Sequence, residues 1–486
     1  MPTAALSDRL ASVRHSLDAA GQSHALHFFD RLDAAGKEKL LSQIEGIDWP
    51  EVARLVQSYV LSKPKFELPT KIEPAPVYPR VPTGALVQKY ADARALGEKL
   101  IRDGRVAAFT VAGGQGTRLG WDAPKGTFPA TPIRKLPLFG VLAEYILRAQ
   151  KKWGCVIPWY IMTSPANDAA TRAFLEENEC FGLEDENVMI FPQAMMPAMD
   201  MKTGKVLLEA PDSLALSPNG HGGSLKALYT SGAIADMKSR GVEQISYVQI
   251  DNPNVKVVDP LFIGLHAMDG AQMSSKMLPK TGPKEKLGNF CKVDGRVTII
   301  EYSDLPDELA MQRTPEGELR FRAGSIAIHV IRRDFVATLN ESAEGFALPF
   351  HRAEKKVGFV DLATGQAVSP KEPNAVKLET FVFDALPLCA TSIVYETDRV
   401  EEFAPIKNAD AKAGEPMAVD SPASSIALQI ERAARWLEEN GVAVTRDDDG
   451  KVEGVVEVSH ATAIEPADLD GHALPDAVGP GMKLVL

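Results

Sequence analysis

The chain has 486 residues, of which 45% are hydrophobic and 24% charged, and its formal net charge is −12. This length predicts about three domains, or one large domain with additions. The acidic balance argues against a nucleic-acid-binding scaffold, because neutralising phosphate backbones takes a dense basic surface. No stretch approaches the ~18 uncharged apolar residues of a membrane span, and the charged Asp8 and Arg9 lie where a signal peptide is apolar. We therefore expect a cytoplasmic protein with no nucleic-acid or membrane partner.

The first hundred residues are predicted to be helical. Apolar residues recur at intervals of three and four within Leu10–Leu17 and again within Leu26–Leu32. The proline-rich stretch Pro64–Pro82 cannot continue a helix, so we expect an extended connector there. A further helix is predicted from about Gly84 to Asp103. Residues 1–103 are therefore interpreted as a helical N-terminal region.

The pattern changes at residue 106, where short apolar runs begin to alternate with helical segments such as Leu225–Lys238. Strands separated by helices are typical of a mainly parallel sheet that is covered on both faces. The apolar runs that predict strands are Val106–Val111, Val156–Met162, Val188–Phe191 and Ile245–Ile250.

Later segments predict antiparallel strands and a small terminal domain. The run Asp294–Tyr302 and the alternation in polarity near Leu319–Arg332 are typical of antiparallel strands, so the sheet is expected to be mixed rather than purely parallel. A helix is predicted after Pro422, followed by short strands and turns. The fold class is therefore α/β, with a mixed, mainly parallel sheet in a central domain of residues 104–415 and a small C-terminal α+β domain of residues 416–486.

A glycine-rich loop, AGGQGTRLGWDAPKG, follows the first predicted strand of the sheet and spans Ala112–Gly126. Its glycines let the backbone bend tightly and bring several N–H groups against a ligand, as a polyphosphate requires. The loop lacks the Walker A spacing, and Leu119 stands where the dinucleotide fingerprint has its last glycine. Arg118 and Lys125 add two cations, which suits a triphosphate whose leaving portion must be held and neutralised.

The loop resembles the signature of the eukaryotic-type UDP-sugar pyrophosphorylases, most closely the UDP-N-acetylhexosamine pyrophosphorylases. Further segments resemble this family in the same order along the chain, and together they run from Ala112 to about Ile430. The resemblance implies a Rossmann-like nucleotidyltransferase sheet. The matching segments are Phe191–Met199, Ser217–Leu228, Gln249–Gly264, Phe321–His329, Lys377–Asp384 and Glu401–Asp410.

The resemblance implies a set of nucleotide-binding residues. Gln193 follows a predicted strand, and its carboxamide offers the donor and acceptor that the uracil edge requires. The family usually has G-N-G-G where this chain has Gly220, His221 and Gly222, so His221 replaces an asparagine. A histidine that packs or hydrogen-bonds the nucleoside is favoured over one that titrates. The implied nucleotide-binding residues are Ala112, Gly113, Gly114, Gln193, Gly220, His221 and Gly222.

The sugar-binding residues implied by the resemblance are Gly288, Glu301 and Ser325. A carboxylate such as Glu301 accepts hydrogen bonds from sugar hydroxyls, and glycine makes room for an N-acetyl group. Relatives commonly have F-N-A-G-N where this chain has F-R-A-G-S, ending at Ser325. Serine is shorter than asparagine and lacks a carboxamide, which leaves glucose 1-phosphate or broad specificity open as an alternative.

The implied reaction joins UTP to a sugar 1-phosphate, with N-acetylglucosamine 1-phosphate as the first choice, and releases pyrophosphate. Asp251 follows a predicted strand and is implied as the ligand of Mg²⁺, with Mn²⁺ able to substitute. Arg118 and Lys125 would stabilise the leaving pyrophosphate, while Lys377 and Lys407 would neutralise the attacking phosphate and the α-phosphate. Such a transferase needs no protein nucleophile.

Two other interpretations stay open at this point. One is the same chemistry with a different sugar 1-phosphate. The other is a non-catalytic nucleotide-sugar-binding protein, although none of the lysines or Asp251 is lost. The partners are expected to be UTP and a sugar 1-phosphate, and the protein itself a monomer or weak homo-oligomer.

Overall fold

The computed structural model describes residues 3–63, 71–341 and 346–486. The α-helices in these ranges are α1 (Thr3–Ala19), α2 (Ala34–Glu45), α3 (Trp49–Leu55), α4 (Leu86–Arg102), α5 (Leu138–Trp153), α6 (Asp168–Glu177), α7 (Gly223–Thr230), α8 (Ala233–Ser239), α9 (Pro260–Met268), α10 (Asp307–Ala310), α11 (Arg333–Asn340), α12 (Arg399–Glu402) and α13 (Pro422–Glu439).

The strands of the same ranges are β1 (Ile72–Pro74), β2 (Val106–Val111), β3 (Trp159–Thr163), β4 (Val188–Pro192), β5 (Met195–Pro197), β6 (Met199–Asp200), β7 (Leu208–Ala210), β8 (Ser213–Leu214), β9 (Leu216–Pro218), β10 (Gln244–Gln249), β11 (Met273–Pro279), β12 (Asn289–Val293), β13 (Arg296–Ile300), β14 (Ala323–Arg332), β15 (His351–Lys355), β16 (Phe359–Val360), β17 (Ala367–Val368), β18 (Ala375–Glu379), β19 (Val394–Glu396), β20 (Ala443–Val444), β21 (Val455–Glu457), β22 (Ala477–Val478) and β23 (Lys483–Val485).

The chain forms two compact units, each assembled from three separate segments. Unit 1 comprises Met1–Thr70, Gln193–Ala227 and Ala347–Asp384, and unit 2 comprises Lys71–Pro192, Leu228–Phe346 and Ala385–Leu486. The sequence instead predicted three contiguous regions with boundaries near residues 103 and 415. Compactness does not test which segments fold independently, so that division stays a prediction.

The large sheet of unit 2 is mixed, with a parallel centre, as predicted. Its strand order is β1-β12-β14-β10-β2-β3-β4. Strands β10, β2, β3 and β4 are parallel neighbours, and Val111 at the end of β2 lies opposite Gln249 and Met162. Strands β12 and β14 are antiparallel to their neighbours, which confirms the antiparallel pattern predicted for this part of the chain.

The order of the central strands places a point where the connections diverge at their carboxyl ends. From β2 the chain continues to β3 on one side, whereas β10 pairs with β2 on the other side. In open α/β sheets, ligands bind outside the carboxyl ends of the strands where the connections diverge in this way. The loops that follow β2 and β10 are therefore placed where a ligand site is expected.

Helices α4 and α9 of unit 2 approach each other so closely that each needs a glycine at the contact. A Cβ atom on Gly97 of α4 would lie 1.8 Å from the carbonyl oxygen of Pro260, and one on Gly264 of α9 would lie 1.7 Å from that of Ala93. Real Cβ atoms do not approach backbone oxygens to such distances, so only glycine, which has no Cβ, fits at either position.

The C-terminal segment of unit 2 begins with α13, whose first turn is capped by a Ser421 side chain that accepts from the Ser424 backbone. One apolar side of this helix packs on the short strands that follow it, in a cluster that includes Trp436, Leu437 and Val456. These elements match the predicted helix and terminal strands.

Unit 1 has its own apolar core, in which helices α1 to α3 pack against short strands. Leu17, Leu41 and Trp49 of the helices share this cluster with Met199 of β6 and Leu378 of β18. Strand β18 pairs with both β15 and β6 in a small antiparallel sheet. Helices α1 to α3 thus lie within the predicted helical N-terminal region, while the strands that complete this core come from later segments.

Two local predictions need correction, and a third falls partly outside the described residues. Leu26–Leu32 does not form a helix but two 3₁₀ turns, Ser23–Leu26 and Phe29–Arg31. The predicted helix Leu225–Lys238 is divided into α7 and α8 at Gly232, whose φ of +85° is a left-handed conformation. The predicted connector Pro64–Pro82 contains strand β1, and its residues 64–70 lie outside the described residues.

Within the described ranges, no helix is long and apolar enough to cross a membrane. The cytoplasmic location and the expected monomer or weak homo-oligomer stay predictions.

Candidate functional site

The glycine-rich loop after β2 presents backbone donors that the protein itself does not use. Across the described residues, the N–H groups of Gly113, Gly114 and Gln115 donate to no protein acceptor. Gly114 and Gln115 are exposed, and Gly113 is partly exposed. Successive free amides of this kind form a concave site for an anion. The structure thus places Ala112, Gly113 and Gly114 at the carboxyl end of β2, beside β10, and their contacts with a phosphate stay predictions.

A side chain that the sequence analysis missed holds this loop in place. The carboxamide of Asn167, which is 2% exposed, donates to the carbonyl oxygens of Ala112 (2.9 Å) and Gly114 (3.3 Å). These two bonds fix the backbone on both sides of Gly113. Asn167 follows the carboxyl end of β3, next to β2, and that position was the signal available in the sequence.

Lys125 and Asp251 meet at this edge of the sheet. The ammonium nitrogen of Lys125 lies 3.7 Å from a carboxylate oxygen of Asp251. The lysine side chain crosses Gly114, since a Cβ there would lie 3.9 Å from Lys125 Cε. Lys125 begins a 3₁₀ turn whose next residue, Gly126, is pressed against the ring of Phe139. The loop, the cation and the carboxylate therefore form one group.

Asp251 has the properties of a ligand for a hard cation. The residue is only 8% exposed, and its carboxylate accepts no hydrogen bond from the residues that the structure describes. Neither carboxylate oxygen is among the fully buried polar atoms that lack a partner in the described residues, so both are accessible from the cleft and open to a cation. Mg²⁺ binds through one or two carboxylates together with waters and substrate phosphates. The residue thus fits Mg²⁺, with Lys125 as the neighbouring charge.

Lys407 is fixed by Asp420 and by the strand end that carries Asp251. Its ammonium lies 3.6 Å from a carboxylate oxygen of Asp420 and 5.2 Å from the centre of the Phe403 ring. The preceding residue, Ile406, donates its backbone N–H to the carbonyl oxygen of Asp251 at 2.8 Å. The segment with Lys407 is therefore tied to the end of β10.

Four predicted residues border one cleft in unit 2, and a fifth, Glu301, lies beside Gly288. Asp251, Gly288, Ser325 and Lys407 all border a cleft of about 540 Å³. Ser325 donates its N–H to the carbonyl oxygen of Gly288 at 2.8 Å. A Cβ on Gly288 would lie 3.3 Å from a carboxylate oxygen of Glu301.

The predicted sugar-binding residues are thus assembled next to Asp251 and Lys407, although they are distant in the sequence. Gly288 precedes β12, Glu301 follows β13 and Ser325 lies in β14, and the pairing of these strands brings the three together. Their contacts with a sugar stay predictions.

Arg118 lies in the loop but makes no contact that would commit its charge. It is exposed within the 3₁₀ turn Thr117–Leu119. No ion pair or hydrogen bond joins its guanidinium to any described residue. An uncommitted guanidinium in a loop with free amides is suited to a phosphate.

In unit 1, Gln193 has a buried acceptor without a donor. The residue is 7% exposed, and in the described part of the chain its Oε1 has no hydrogen-bond partner. An unsatisfied buried carbonyl costs free energy, roughly 1–3 kcal/mol, unless a ligand or water donates to it. A ligand N–H would satisfy it, which is compatible with the predicted uracil contact.

The glycines of the Gly220–Gly223 loop are required by packing inside unit 1. A Cβ on Gly220 would lie 2.3 Å from the carbonyl oxygen of Thr380, and one on Gly222 would lie 2.7 Å from the Phe381 backbone. The N–H of Gly222 already donates to Thr380 at 2.8 Å. These contacts explain the glycines without a ligand, and the nucleotide contacts of Gly220 and Gly222 stay predictions.

His221 packs as a neutral ring. It stacks on Phe381 with centroids 5.2 Å apart and lies 5.6 Å from the Phe383 ring. Its Nδ1 accepts the backbone N–H of Val382 at 3.2 Å. Burial, and secondly the charge of nearby His351, lower the pKa of His221 to about 4. This geometry favours the packing role over titration near neutral pH.

Lys377 lies in β18 of unit 1, opposite Ala353 of β15. Its ammonium has no ion-pair or hydrogen-bond partner among residues 3–63, 71–341 and 346–486. A free lysine in a paired strand is compatible with a phosphate contact, and its role stays a prediction.

The chain belongs to a family of uridylyltransferases. The family model described as UTP–glucose-1-phosphate uridylyltransferase matches residues 54–428, which is most of the chain. The protein is therefore a nucleotidyltransferase of the UDP-sugar pyrophosphorylase family, which confirms the resemblance found in the sequence.

Named relatives are more specific than the family. The chain is 36% identical over 415 residues to UDP-N-acetylhexosamine pyrophosphorylase-like protein 1 of Xenopus tropicalis, covering 82% of this chain and 80% of the relative. It is 34% identical over 439 residues to the UDP-N-acetylglucosamine pyrophosphorylase of Saccharomyces cerevisiae, and this match covers 87% of this chain and 90% of the relative.

A solved structure shares the fold over nearly the whole chain. It is the uridine diphosphate N-acetylglucosamine pyrophosphorylase of Trypanosoma brucei in complex with an inhibitor, with a TM-score of 0.81 and 25% identity, covering 99% of this chain and 98% of that one.

Proposed function

We propose that the protein transfers the uridylyl group of UTP to N-acetylglucosamine 1-phosphate, forming UDP-N-acetylglucosamine and pyrophosphate. The observation that carries this proposal is the group at the carboxyl ends of β2 and β10. Free amides of Gly113 and Gly114 lie beside Lys125 and Asp251 there. Membership of the uridylyltransferase family and the names of the relatives support the nucleotide and the sugar.

The reaction needs positioning and charge neutralisation rather than a protein nucleophile. A phosphate monoester is mostly dianionic at neutral pH because its second pKa is about 6. A phosphate oxygen of the sugar substrate attacks the α-phosphorus of UTP. The bond from that phosphorus to the bridging oxygen breaks, and its electron pair leaves with pyrophosphate. A single displacement of this kind inverts the α-phosphorus.

The residues of unit 2 divide this task. The free loop amides and Arg118 would bind the triphosphate, and Lys125 would stabilise the charge that develops on pyrophosphate. Lys407, held beside Asp251 and Asp420, would neutralise the attacking phosphate. Gly288, Glu301 and Ser325 would enclose the sugar.

We also propose Mg²⁺ as the cofactor, with Mn²⁺ able to substitute, and Asp251 as its protein ligand. When bound, the ion supplies positive charge to phosphate oxygens. The support is the buried carboxylate of Asp251, which accepts no hydrogen bond from the described residues.

Pyrophosphate release tests the proposal. Purified protein is incubated with Mg²⁺, UTP or ATP, and a panel of sugar 1-phosphates. We expect release with UTP and the highest kcat/KM with N-acetylglucosamine 1-phosphate. No release with UTP, or a preference for ATP, would contradict the proposed function.

Glucose 1-phosphate is a second candidate substrate because of one observation. Ser325 borders the cleft where the family commonly has an asparagine, so an amide that could contact an N-acetyl group is missing. Equal kcat/KM values for glucose and N-acetylglucosamine 1-phosphates would favour this broader specificity over the first choice.

A further inference from the structure

The cleft of unit 2 is bordered by a lysine to which no role has been assigned. Lys286 lines it together with Asp251, Gly288, Ser325 and Lys407. The side chain is exposed, and its ammonium forms no ion pair or hydrogen bond with any residue that the structure describes.

The other lysines of this site are already paired. Lys125 lies 3.7 Å from Asp251, and Lys407 lies 3.6 Å from Asp420. A cation that has a carboxylate partner must give up part of that interaction when an anionic ligand arrives. Lys286 has no carboxylate partner among the described residues, so its charge is available to an anionic ligand without breaking an ion pair.

The loop that presents Lys286 is fixed on both sides of it. The carboxylate of Glu285 accepts from the backbone N–H of Thr281 at 2.7 Å, from the Thr281 hydroxyl at 3.1 Å and from the Arg399 guanidinium at 2.6 Å. On the other side, Leu287 packs against the core of the sheet.

This anchoring determines where the lysine is presented. Side chains 285 and 287 are held by the protein, while Lys286 between them is exposed and borders the cleft. The backbone at Lys286 is therefore already ordered, and only side-chain freedom is lost when its ammonium binds an anion.

We propose that Lys286 is a further substrate-binding residue, which contacts the phosphate of the sugar 1-phosphate. This inference rests on the proposed function, because it assigns a residue to one of its two substrates. Since the lysine is exposed and borders the cleft, it binds the dianion equally in the ground state and the transition state. Such uniform binding lowers KM and leaves kcat unchanged.

Lys286→Ala tests the assignment, with Lys284→Ala as the matched control. Lys284 is an exposed lysine of the same loop, but it is paired with Asp307 and does not border the cleft. Initial rates are measured with N-acetylglucosamine 1-phosphate varied at saturating UTP, and then with UTP varied.

For Lys286→Ala we expect KM for the sugar 1-phosphate to rise roughly three- to tenfold, as for loss of one partly exposed charged contact. The kcat and the KM for UTP should stay within about twofold of the wild-type values. Lys286→Arg retains the charge, so its KM for the sugar 1-phosphate should lie close to the wild-type value. The difference from wild type shrinks as ionic strength rises, because salt screens exposed charges.

Several results would overturn the assignment. One is an unchanged KM for the sugar 1-phosphate in Lys286→Ala, and another is an equal rise in Lys284→Ala, which would indicate only a general surface charge. A rise confined to KM for UTP would assign the lysine to the other substrate. If wild-type protein released no pyrophosphate with any sugar 1-phosphate, the proposed function and this assignment would both fail. If the wild-type protein is active but Lys286→Ala has an unchanged KM, only the assignment of Lys286 fails.

Discussion

The ammonium of Lys125 lies 3.7 Å from the carboxylate of Asp251, and each residue follows a neighbouring parallel strand of the same sheet. This pair joins the glycine-rich loop to the end of β10. In the absence of substrate the two charges partly neutralise each other. A triphosphate bound by the loop amides would bring oxygens that draw the ammonium toward the nucleotide and leave the carboxylate to a cation.

Lys125→Ala should therefore lower kcat by at least about tenfold at saturating UTP, because it removes a preorganised charge from the developing pyrophosphate. Steady-state pyrophosphate release measures this, with Lys151→Ala, an exposed lysine on α5, as the control. An unchanged kcat in Lys125→Ala would exclude the role, and a similar loss in the control would point to general charge effects.

Asp251→Asn should abolish most activity along with its dependence on Mg²⁺. The amide has nearly the same shape as the carboxylate, so a loss reports on the charge rather than on packing. Rates are measured over a range of free Mg²⁺ concentrations, and circular dichroism checks that the variant is folded. Full activity of the wild-type protein in excess chelator would refute the metal assignment.

Much of the central sheet could be predicted from apolar runs alone. Val106–Val111 is a strand with the predicted bounds, and the other three predicted runs lie within a few residues of β3, β4 and β10. Strands buried on both faces are continuous in apolar character, which makes them the clearest signal in the sequence. The prediction failed where one residue decides, as at Gly232, whose left-handed backbone divides a predicted helix.

The candidate site was predictable residue by residue but not as a group. The pairing of β12, β13 and β14 brings Gly288, Glu301 and Ser325 together, and strand pairing over such separations cannot be read from local pattern. Asn167 was missed because its carboxamide acts on the backbone of another strand's loop. Gly220 and Gly222 were explained by a ligand, whereas the structure shows that the Thr380–Phe381 backbone already requires them.

The pH dependence of stability should reflect His221. Burial, with a smaller contribution from His351, lowers its pKa to about 4 in the folded protein, whereas an unfolded histidine has a pKa of about 6.5. The unfolded state therefore binds more protons between these values, so stability is lost as pH falls from about 6.5 toward about 4. In His221→Asn the decline of Tm over this range should be smaller than in wild type.

The control for this experiment is His472→Asn, because His472 is exposed. Its Tm should follow the wild-type decline. Between pH 6 and 8 the pH profiles of kcat for wild type and His221→Asn should have the same shape, since the ring is neutral throughout. An inflection near pH 6.5 that disappears in the variant would show that His221 titrates during turnover.

Gly126→Ala should damage both stability and the site. A Cβ at this position would lie 2.1 Å from Cε2 of Phe139, a ring that is fully buried against Trp159. Either the ring or the loop must shift, and overpacking of this kind costs about 1–3 kcal/mol of unfolding free energy. Because Gly126 directly follows Lys125, a shifted loop also moves the ammonium, so kcat should fall.

The control is Gly479→Ala, because a Cβ at that position meets no atom within 4 Å. This variant should change the unfolding free energy by less than about 0.5 kcal/mol. Urea unfolding and pyrophosphate release on the two variants check both effects, and equal stability of Gly126→Ala and wild type would show that the loop is not held by this contact.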